Sequence, residues 1–203
     1  VPTNEPRFKS KGYNVLLWMK WNFLSIVLEV APRAFFIDSD VVLVQNPFPH
    51  LPTHLRFAYQ AETRCKLCAA CLGRNDPSDW DCTLAMCPPN GGQLYFSDLD
   101  LARWMVAQQP QKITSGPALD QTYIEEALLE MPERRGITCL PQRFAGHCWY
   151  GPFNTTLVTA PPHEVRALAT YHAHCVSFQT RKLELMKNIW TSVGEARRAL
   201  RRP

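Results

Sequence analysis

The chain has 203 residues, a hydrophobic content of 46%, a charged content of 20% and a formal net charge of +4. This composition excludes a disordered chain, and the length suits one domain with a sizeable core, which we expect over residues 1–203. The positive charge of residues 197–202 is typical of a solvated helix end, and we expect no nucleic-acid partner. No apolar stretch is long and uncharged enough to span a bilayer, so we expect membrane contact only through a segment absent from this chain.

The N-terminal part of the chain predicts an irregular lead-in, one helix and two strands. Residues 12–30 carry apolar side chains at three-to-four spacing, which is typical of an amphipathic helix that ends at Ala31-Pro32. Its apolar positions are Val15, Leu16, Met19, Phe23, Ile26, Val27 and Val30. The apolar run at residues 35–37 predicts a buried strand, and residues 57–59 predict a second, short one.

The rest of the chain alternates strands with helices, which predicts an α/β fold. The predicted strands are residues 92–96, 137–140 and 168–176. The predicted helices are residues 98–108, 115–131 and 180–200, and Ser97-Asp98 is the expected cap of the first. Residues 141–162 contain several prolines and predict a loop.

Eight cysteines are many for a cytosolic enzyme of this size. Five of them lie in a polar stretch at about residues 62–89, which we predict to be a Cys-rich loop insertion: Cys65, Cys68, Cys71, Cys82 and Cys87. Disulfides in an oxidising compartment would explain the cluster, and the glycosylation acceptor Asn154-Thr155-Thr156 agrees with such a compartment. The spacing of the first three also fits zinc, which stays open as the alternative.

The most informative segment is Asp38-Ser39-Asp40, which lies between the apolar runs 35–37 and 41–44. An unpaired charge is costly to bury, so two acids at the carboxyl end of a buried strand need a partner. A hard divalent cation that also holds substrate phosphates is a natural partner, and ligands bind at this edge of open α/β sheets. Phosphohydrolases also place Asp-x-Asp after an apolar strand, but they usually continue with Gly-Thr or Thr-Val rather than Val41-Val42.

Three further groups carry candidate binding chemistry. Asn90-Gly91-Gly92 precedes a predicted strand, where it is either a plain turn or a place for close approach to a sugar. Asp120-Gln121 lies in a predicted helix and faces either solvent or a sugar pocket. On a strand His172 and His174 point to one face, either as buried, hydrogen-bonded side chains or as metal ligands, and Lys182 can pair with a phosphate.

In this order the groups resemble the nucleotide-diphospho-sugar transferases that include plant and algal cell-wall arabinosyl- and xylosyltransferases. That family has an apolar strand ending in Asp-x-Asp, then x-x-Pro-Phe, an Asn-x-Gly strand, an Asp-Gln pair, and a late His-x-Asn with a downstream Lys. The matching positions are Asp38-Ser39-Asp40, Asn46-Pro47-Phe48, Asn90-Gly91-Gly92, Asp120-Gln121, and His172 with Lys182. The resemblance covers residues 12–190, with His174 in place of the usual Asn and Phe178 in place of the usual Gly.

The resemblance implies a GT-A-like α/β fold, in which a Rossmann-related mixed sheet is flanked by helices. Because few residues precede Asp38, we expect the first nucleotide-binding β-α unit to be missing or reduced. The implied activity is transfer of a sugar from a UDP-linked donor to a glycan or glycoprotein acceptor, with retention of anomeric configuration. The implied location is the Golgi or another secretory-pathway lumen.

The resemblance also implies roles for single residues. The expected ligands of a Mn²⁺ or Mg²⁺ ion are Asp38, Asp40 and His172. The expected donor-binding residues are Asp38, Asn90, Gly91 and Lys182. The expected catalytic residues are Asp120 and Gln121. The alternatives are a Cys-rich zinc-binding interaction module, a non-catalytic transferase-like domain and an Asp-dependent phosphohydrolase.

Overall fold

The computed structural model describes residues 11–51, 53–61, 89–108, 120–130, 136–140, 144–146, 168–173 and 179–200. Within these ranges the chain forms four α-helices and seven strands. The helices are α1 (Lys11–Val30), α2 (Leu99–Ala107), α3 (Asp120–Glu130) and α4 (Gln179–Leu200). The strands are β1 (Ala34–Ile37), β2 (Val41–Leu43), β3 (Phe57–Ala61), β4 (Pro89–Phe96), β5 (Ile137–Cys139), β6 (Phe144–Gly146) and β7 (Thr170–His172). A short 3-10 helix, Phe48–His50, follows β2.

The strands form two mixed sheets. The four-stranded sheet has the order β1-β4-β3-β5, in which β4 is antiparallel to both neighbours and β3 is parallel to β5. The three-stranded sheet has the order β2-β7-β6, in which β7 is antiparallel to β2 and parallel to β6. Because β1 and β2 are joined only by residues 38–40, the chain passes from one sheet to the other at the two aspartates.

Helices α1, α2 and α3 cover one face of the four-stranded sheet with a shared apolar core. Trp21 of α1 is fully buried and meets the ring of Phe96 edge-on, with the centroids 5.8 Å apart. Helix α2 begins at Asp98, whose Oδ1 accepts a hydrogen bond of 2.9 Å from the Leu101 amide, as the sequence predicted. Helix α3 adds Ile124 to the same core.

The other face of the four-stranded sheet lies against the three-stranded sheet. Ala58 and Tyr95 pack there with Phe144 of β6, and the rings of Phe35 and Phe144 are 5.5 Å apart. Helix α4 packs on the three-stranded sheet through Ile189 and further apolar residues. This arrangement confirms the predicted α/β class, a GT-A-like mixed sheet flanked by helices.

Most predicted elements occur where the sequence placed them, but three predictions need correction. The sequence predicted a strand at residues 35–37 but none at the second apolar run, where Val41–Leu43 forms β2 in the other sheet. The strand predicted at residues 92–96 begins earlier, at Pro89, so Asn90 and Gly91 lie inside it rather than in a turn before it. The predicted loop 141–162 contains β6, which three residues form by pairing with the distant β7.

The periodicity of α1 predicted the helix correctly but not its buried face. Phe23 is 58% exposed and Ile26 59% exposed, although both belong to the apolar repeat. The core instead takes Trp18, Trp21, Leu24 and Leu28 from the neighbouring face. Two tryptophans bury more apolar surface than the side chains of the predicted face, such as Phe23 and Ile26. They therefore determine which of the two apolar faces packs against the core.

Some predictions fall on residues outside the described ranges. These are the lead-in, the Cys-rich insertion over residues 62–88, the acceptor site at Asn154, and His174 with Phe178. The single-domain organisation also stays a prediction. Among the described helices, none has the length and hydropathy that a membrane crossing requires.

Candidate metal and donor site

The turn that carries the two aspartates is fixed by backbone hydrogen bonds to both sheets. The Val41 amide donates to the Asp38 carbonyl at 3.1 Å, which closes the turn. The Asp38 amide donates to the carbonyl of Gly92 on β4 at 2.8 Å, and the Ala173 amide donates to the Asp40 carbonyl at 3.0 Å. The side chains of Asp38 and Asp40 therefore leave a backbone that has little freedom to move.

His172 lies at the end of β7, directly across from Val41 in the β2–β7 pair. Its ring is buried, and Nε2 is 3.2 Å from Oδ1 of Asp40. Ligand atoms of Asp38, Asp40 and His172 all lie within 4.8 Å of one another. The structure thus brings together the three residues that the sequence predicted as metal ligands.

Two basic side chains, His172 and Lys182, stabilise the charged form of Asp40. Lys182 of α4 places Nζ 2.6 Å from Oδ2 of Asp40, on the opposite carboxylate oxygen from His172. Burial raises the pKa of Asp40, but the hydrogen bonds and charges of His172 and Lys182 outweigh it and hold that pKa well below its usual range. Asp40 is therefore a carboxylate at any physiological pH.

The donor set fits a divalent cation. Two carboxylates offer the hard oxygen ligands that Mg²⁺ and Mn²⁺ prefer, and an imidazole nitrogen is compatible with Mn²⁺. Asp38 and Asp40 are partly exposed whereas His172 is buried, so the group opens to solvent on its carboxylate side. This arrangement leaves room for a ligand on the same side as the carboxylates.

The Asn90-Gly91-Gly92 segment forms a bulge in β4 rather than a turn. The β3–β4 register shifts between Tyr59, opposite Leu94, and Gln60, opposite Asn90, so the intervening β4 residues are unpaired with β3. The Asn90 side chain turns back on this bulge, where Oδ1 accepts from the Gly92 amide at 2.8 Å.

Gly92 allows the imidazole to lie directly against the β4 backbone. A Cβ atom at this position would overlap Cε1 of His172 and lie 2.8 Å from Nε2. Only a residue without a side chain therefore permits the observed position of the ring. The glycine pair is recognisable in the sequence, whereas its contact with the histidine arises only when β4 and β7 are brought together.

Lys20 is a functional-site neighbour that the sequence analysis missed. It is only 5% exposed, and its Nζ donates to the carbonyl of Gly91 at 3.0 Å and lies 5.1 Å from the centroid of the Phe36 ring. An unpaired carbonyl in a bulge is costly to bury, and this lysine satisfies it. The sequence feature that could have indicated this role is a lysine between Trp18 and Trp21, on an otherwise apolar face of α1.

Two further predicted groups lie at the start of α3 and along a cleft. Asp120 and Gln121 begin α3, which packs beside β4, and their catalytic role stays a prediction. The Asn46-Pro47-Phe48 motif lines a cleft of about 430 Å³ together with Phe35 and Ile37.

A mixed α/β fold with two aspartates and a histidine beside a strand bulge is consistent with the GT-A-like class of nucleotide-sugar transferases. A family model described as nucleotide-diphospho-sugar transferase matches residues 2–186, and the chain belongs to this family. The match confirms the family that the motifs resembled and favours a transferase over the phosphohydrolase and zinc-module alternatives. None of the curated proteins matches the chain significantly.

Proposed function

We propose that the chain is a metal-dependent glycosyltransferase that moves a sugar from a UDP-linked donor to a glycan or glycoprotein acceptor. The observation that carries the proposal is the convergence of Asp38, Asp40 and His172 within 4.8 Å in a member of this family.

In this proposal Asp38, Asp40 and His172 hold a Mn²⁺ or Mg²⁺ ion. When bound, the ion supplies positive charge against the negative charge that develops on a diphosphate leaving group. Asp38 contributes to donor binding as well, because it lies on the exposed side of the group. Asn90 and Gly91 shape the wall of the donor site through the bulge of β4.

Lys182 has a second proposed role as a partner of the donor phosphates. In the absence of a ligand its ammonium group neutralises Asp40 at 2.6 Å. Its side chain is 32% exposed, so the ammonium group can turn towards a diphosphate at the same opening. A fixed positive charge there would stabilise the leaving group in the transition state.

We further propose that transfer retains the anomeric configuration of the donor sugar. An inverting enzyme needs a carboxylate as general base beside the acceptor hydroxyl, and Asp120 is the acid in the matched motifs that has no proposed role in metal or donor binding. Retention instead lets the departing diphosphate oxygen take the acceptor proton, with Asp120 and Gln121 orienting sugar or acceptor. Proton NMR of the first-formed product tests this, and a β-linked product from an α-linked donor would overturn it.

The proposed compartment is the Golgi or another secretory lumen, with the cysteines of residues 62–89 paired as disulfides. Five cysteines in one insertion motivate this, because closing such loops stabilises a long segment. Intact mass before and after reduction tests the proposal. A chain with only free thiols, or with tightly bound zinc, would contradict both the pairing and the compartment.

Calorimetric titration of UDP into the protein, with and without Mn²⁺, tests the proposed donor site. We expect binding that requires Mn²⁺ in the wild type and is abolished in Asp40→Asn. The matched control is Asp100→Asn, which makes the same chemical change at an exposed position in α2 and should bind UDP normally. Equal Mn²⁺-dependent binding by wild type and Asp40→Asn would refute the assignment.

A further inference from the structure

The side of His172 that faces away from Asp40 is connected to a buried chain of polar side chains. Alternate residues of a strand share a face, so Thr170 and His172 of β7 both point towards the four-stranded sheet. Two glutamines of that sheet, Gln60 on β3 and Gln93 on β4, meet them there. All four residues are at most 3% exposed.

The hydrogen bonds of this chain converge on Oε1 of Gln60 from both ends. The Thr170 hydroxyl donates to Oε1 of Gln93. Nε2 of Gln93 donates to Oε1 of Gln60 at 3.0 Å, and the same oxygen lies 2.7 Å from Nδ1 of His172. An amide oxygen can only accept, so in this arrangement Nδ1 carries a proton, and Nε2, which faces Asp40, is the nitrogen that a cation can take.

We propose that Gln60, Gln93 and Thr170 are positioning residues that set the tautomer of His172 for cation binding. The inference rests on the proposed metal site and goes beyond it, because it assigns residues that do not touch the ion. A histidine binds a metal only through an unprotonated nitrogen, and its ligand nitrogen is selected by the hydrogen bond of the other one. Gly92 leaves room for the ring, and the amide chain fixes its proton on Nδ1.

The arrangement carries a cost that a purely structural network would avoid. Nε2 of Gln60 is buried and has no hydrogen-bond partner within the part of the chain that the structure describes. Turning both amides over would satisfy this group, because Nε2 of Gln60 would then donate to Nδ1 of His172 and to Gln93. Flipping the two amides would therefore move the imidazole proton to Nε2, and the nitrogen that faces Asp40 could then no longer bind a cation. The orientation that leaves this donor over is also the one that keeps Nε2 of His172 available to a cation.

The test measures two properties of each variant: the protonated nitrogen of His172, by ¹⁵N NMR of the imidazole, and the affinity for Mn²⁺ alone. In the wild type we expect the proton on Nδ1. In Gln60→Met, which keeps the length of the side chain but removes both polar atoms, we expect Nδ1 to lose its acceptor. Mn²⁺ affinity should then fall about 10- to 100-fold, the usual effect of removing the partner of a ligating histidine.

Thr170 offers a matched pair of variants at the far end of the chain. Thr170→Val keeps the shape but removes the hydroxyl that holds Gln93, and it should weaken Mn²⁺ binding in the same direction. Thr170→Ser keeps the hydroxyl and should restore both the tautomer and the affinity. This pair stays informative if Gln60→Met fails to fold, because each Thr170 variant changes only one small group. Thr170→Val replaces the hydroxyl by a methyl group, and Thr170→Ser removes only the methyl group.

The outcomes separate this inference from the proposed function. An unprotonated Nδ1 in the wild type, or variants that bind Mn²⁺ as tightly as the wild type with Nδ1 still protonated, would overturn the positioning role and leave the metal site intact. A wild type without affinity for Mn²⁺ would overturn both. Weaker binding in Thr170→Val that Thr170→Ser restores, together with the Nδ1 proton, supports the inference.

Discussion

At the scale of single residues, the contact between Gly92 and the His172 ring sets the most stringent steric requirement of the candidate site. The imidazole lies where a side chain of residue 92 would begin, and it is held on its other edges by Asp40 and Gln60. The ring therefore cannot move aside without breaking at least one of these hydrogen bonds. A single methyl group at position 92 should act directly on the ligand set.

We expect Gly92→Ala to destabilise the fold by about 1–3 kcal/mol, as overpacking usually does, and to weaken Mn²⁺ binding at the same time. The control is Gly194→Ala in α4, where the new Cβ meets its nearest neighbour, an Arg198 nitrogen, at an ordinary 3.8 Å. That change should stabilise the protein by about 0.5–1 kcal/mol, because glycine disfavours helix interiors. Chemical denaturation with a parallel Mn²⁺ titration measures both effects, and unaltered Mn²⁺ affinity in Gly92→Ala would contradict the steric argument.

Much of the site could be predicted from sequence at this scale, and the limits have a physical cause. Asp38, Asp40, His172 and Lys182 carry charge or imidazole chemistry in a motif order, and such residues stand out in a sequence. Glutamines in strands carry no such signal, because only the pairing of β3, β4 and β7 brings Gln60 and Gln93 to the histidine.

At the scale of elements, α1 shows how periodicity predicts a helix without determining its orientation. The helix has two adjacent apolar faces, and packing against β1, β3 and β4 selects the one with the tryptophans. Three-to-four spacing is satisfied by both faces, so the choice depends on tertiary contacts that no local pattern contains. The strand β6 was missed for a similar reason, since its three residues are stabilised by pairing with β7.

The two faces of α1 give a direct comparison of aromatic residues two positions apart. Trp21→Ala should lower the free energy of unfolding by about 3–5 kcal/mol, because the indole is fully buried against Phe96. Phe23→Ala should change it by no more than about 0.5 kcal/mol, because the ring is largely exposed. Urea denaturation of the two variants measures the difference, and similar losses would contradict the observed burial of the tryptophan face.

The cap of α2 should make part of the stability depend on pH. Burial raises the pKa of Asp98, but the Leu101 amide and the Arg56 guanidinium, 2.5 Å away, together hold it below the ordinary 3.8. A carboxyl group whose pKa is lower in the folded state stabilises the fold above its unfolded pKa, and this contribution is lost as the pH falls through the folded value.

We therefore expect Asp98→Ala to cost about 1 kcal/mol at pH 7, through loss of the cap and the ion pair. The difference from wild type should shrink as the pH falls below about 4. Asp100→Ala is the control, because Asp100 lies in the same helical turn and is exposed. Urea denaturation across that pH range checks the expectation, and a difference that grows towards acid would contradict the assigned pKa direction.

At the scale of the whole molecule, the site exists because two sheets meet at one short turn. The aspartates come from the crossing between the sheets, the histidine from the three-stranded sheet, and the bulge and glutamines from the four-stranded sheet. The alternation of elements predicted the α/β class, but the division of the strands into two sheets required long-range pairing. The family match over residues 2–186 and this geometry agree on a nucleotide-sugar transferase.

The central claim is that Asp38, Asp40 and His172 hold a cation that in turn holds a nucleotide diphosphate. Pulsed electron paramagnetic resonance of bound Mn²⁺ in the presence of UDP tests it most directly. We predict coupling to one imidazole nitrogen and to phosphorus, with the nitrogen signal lost in His172→Ala and retained in His174→Ala. A nitrogen signal that survives in His172→Ala, or disappears in His174→Ala, would contradict the account.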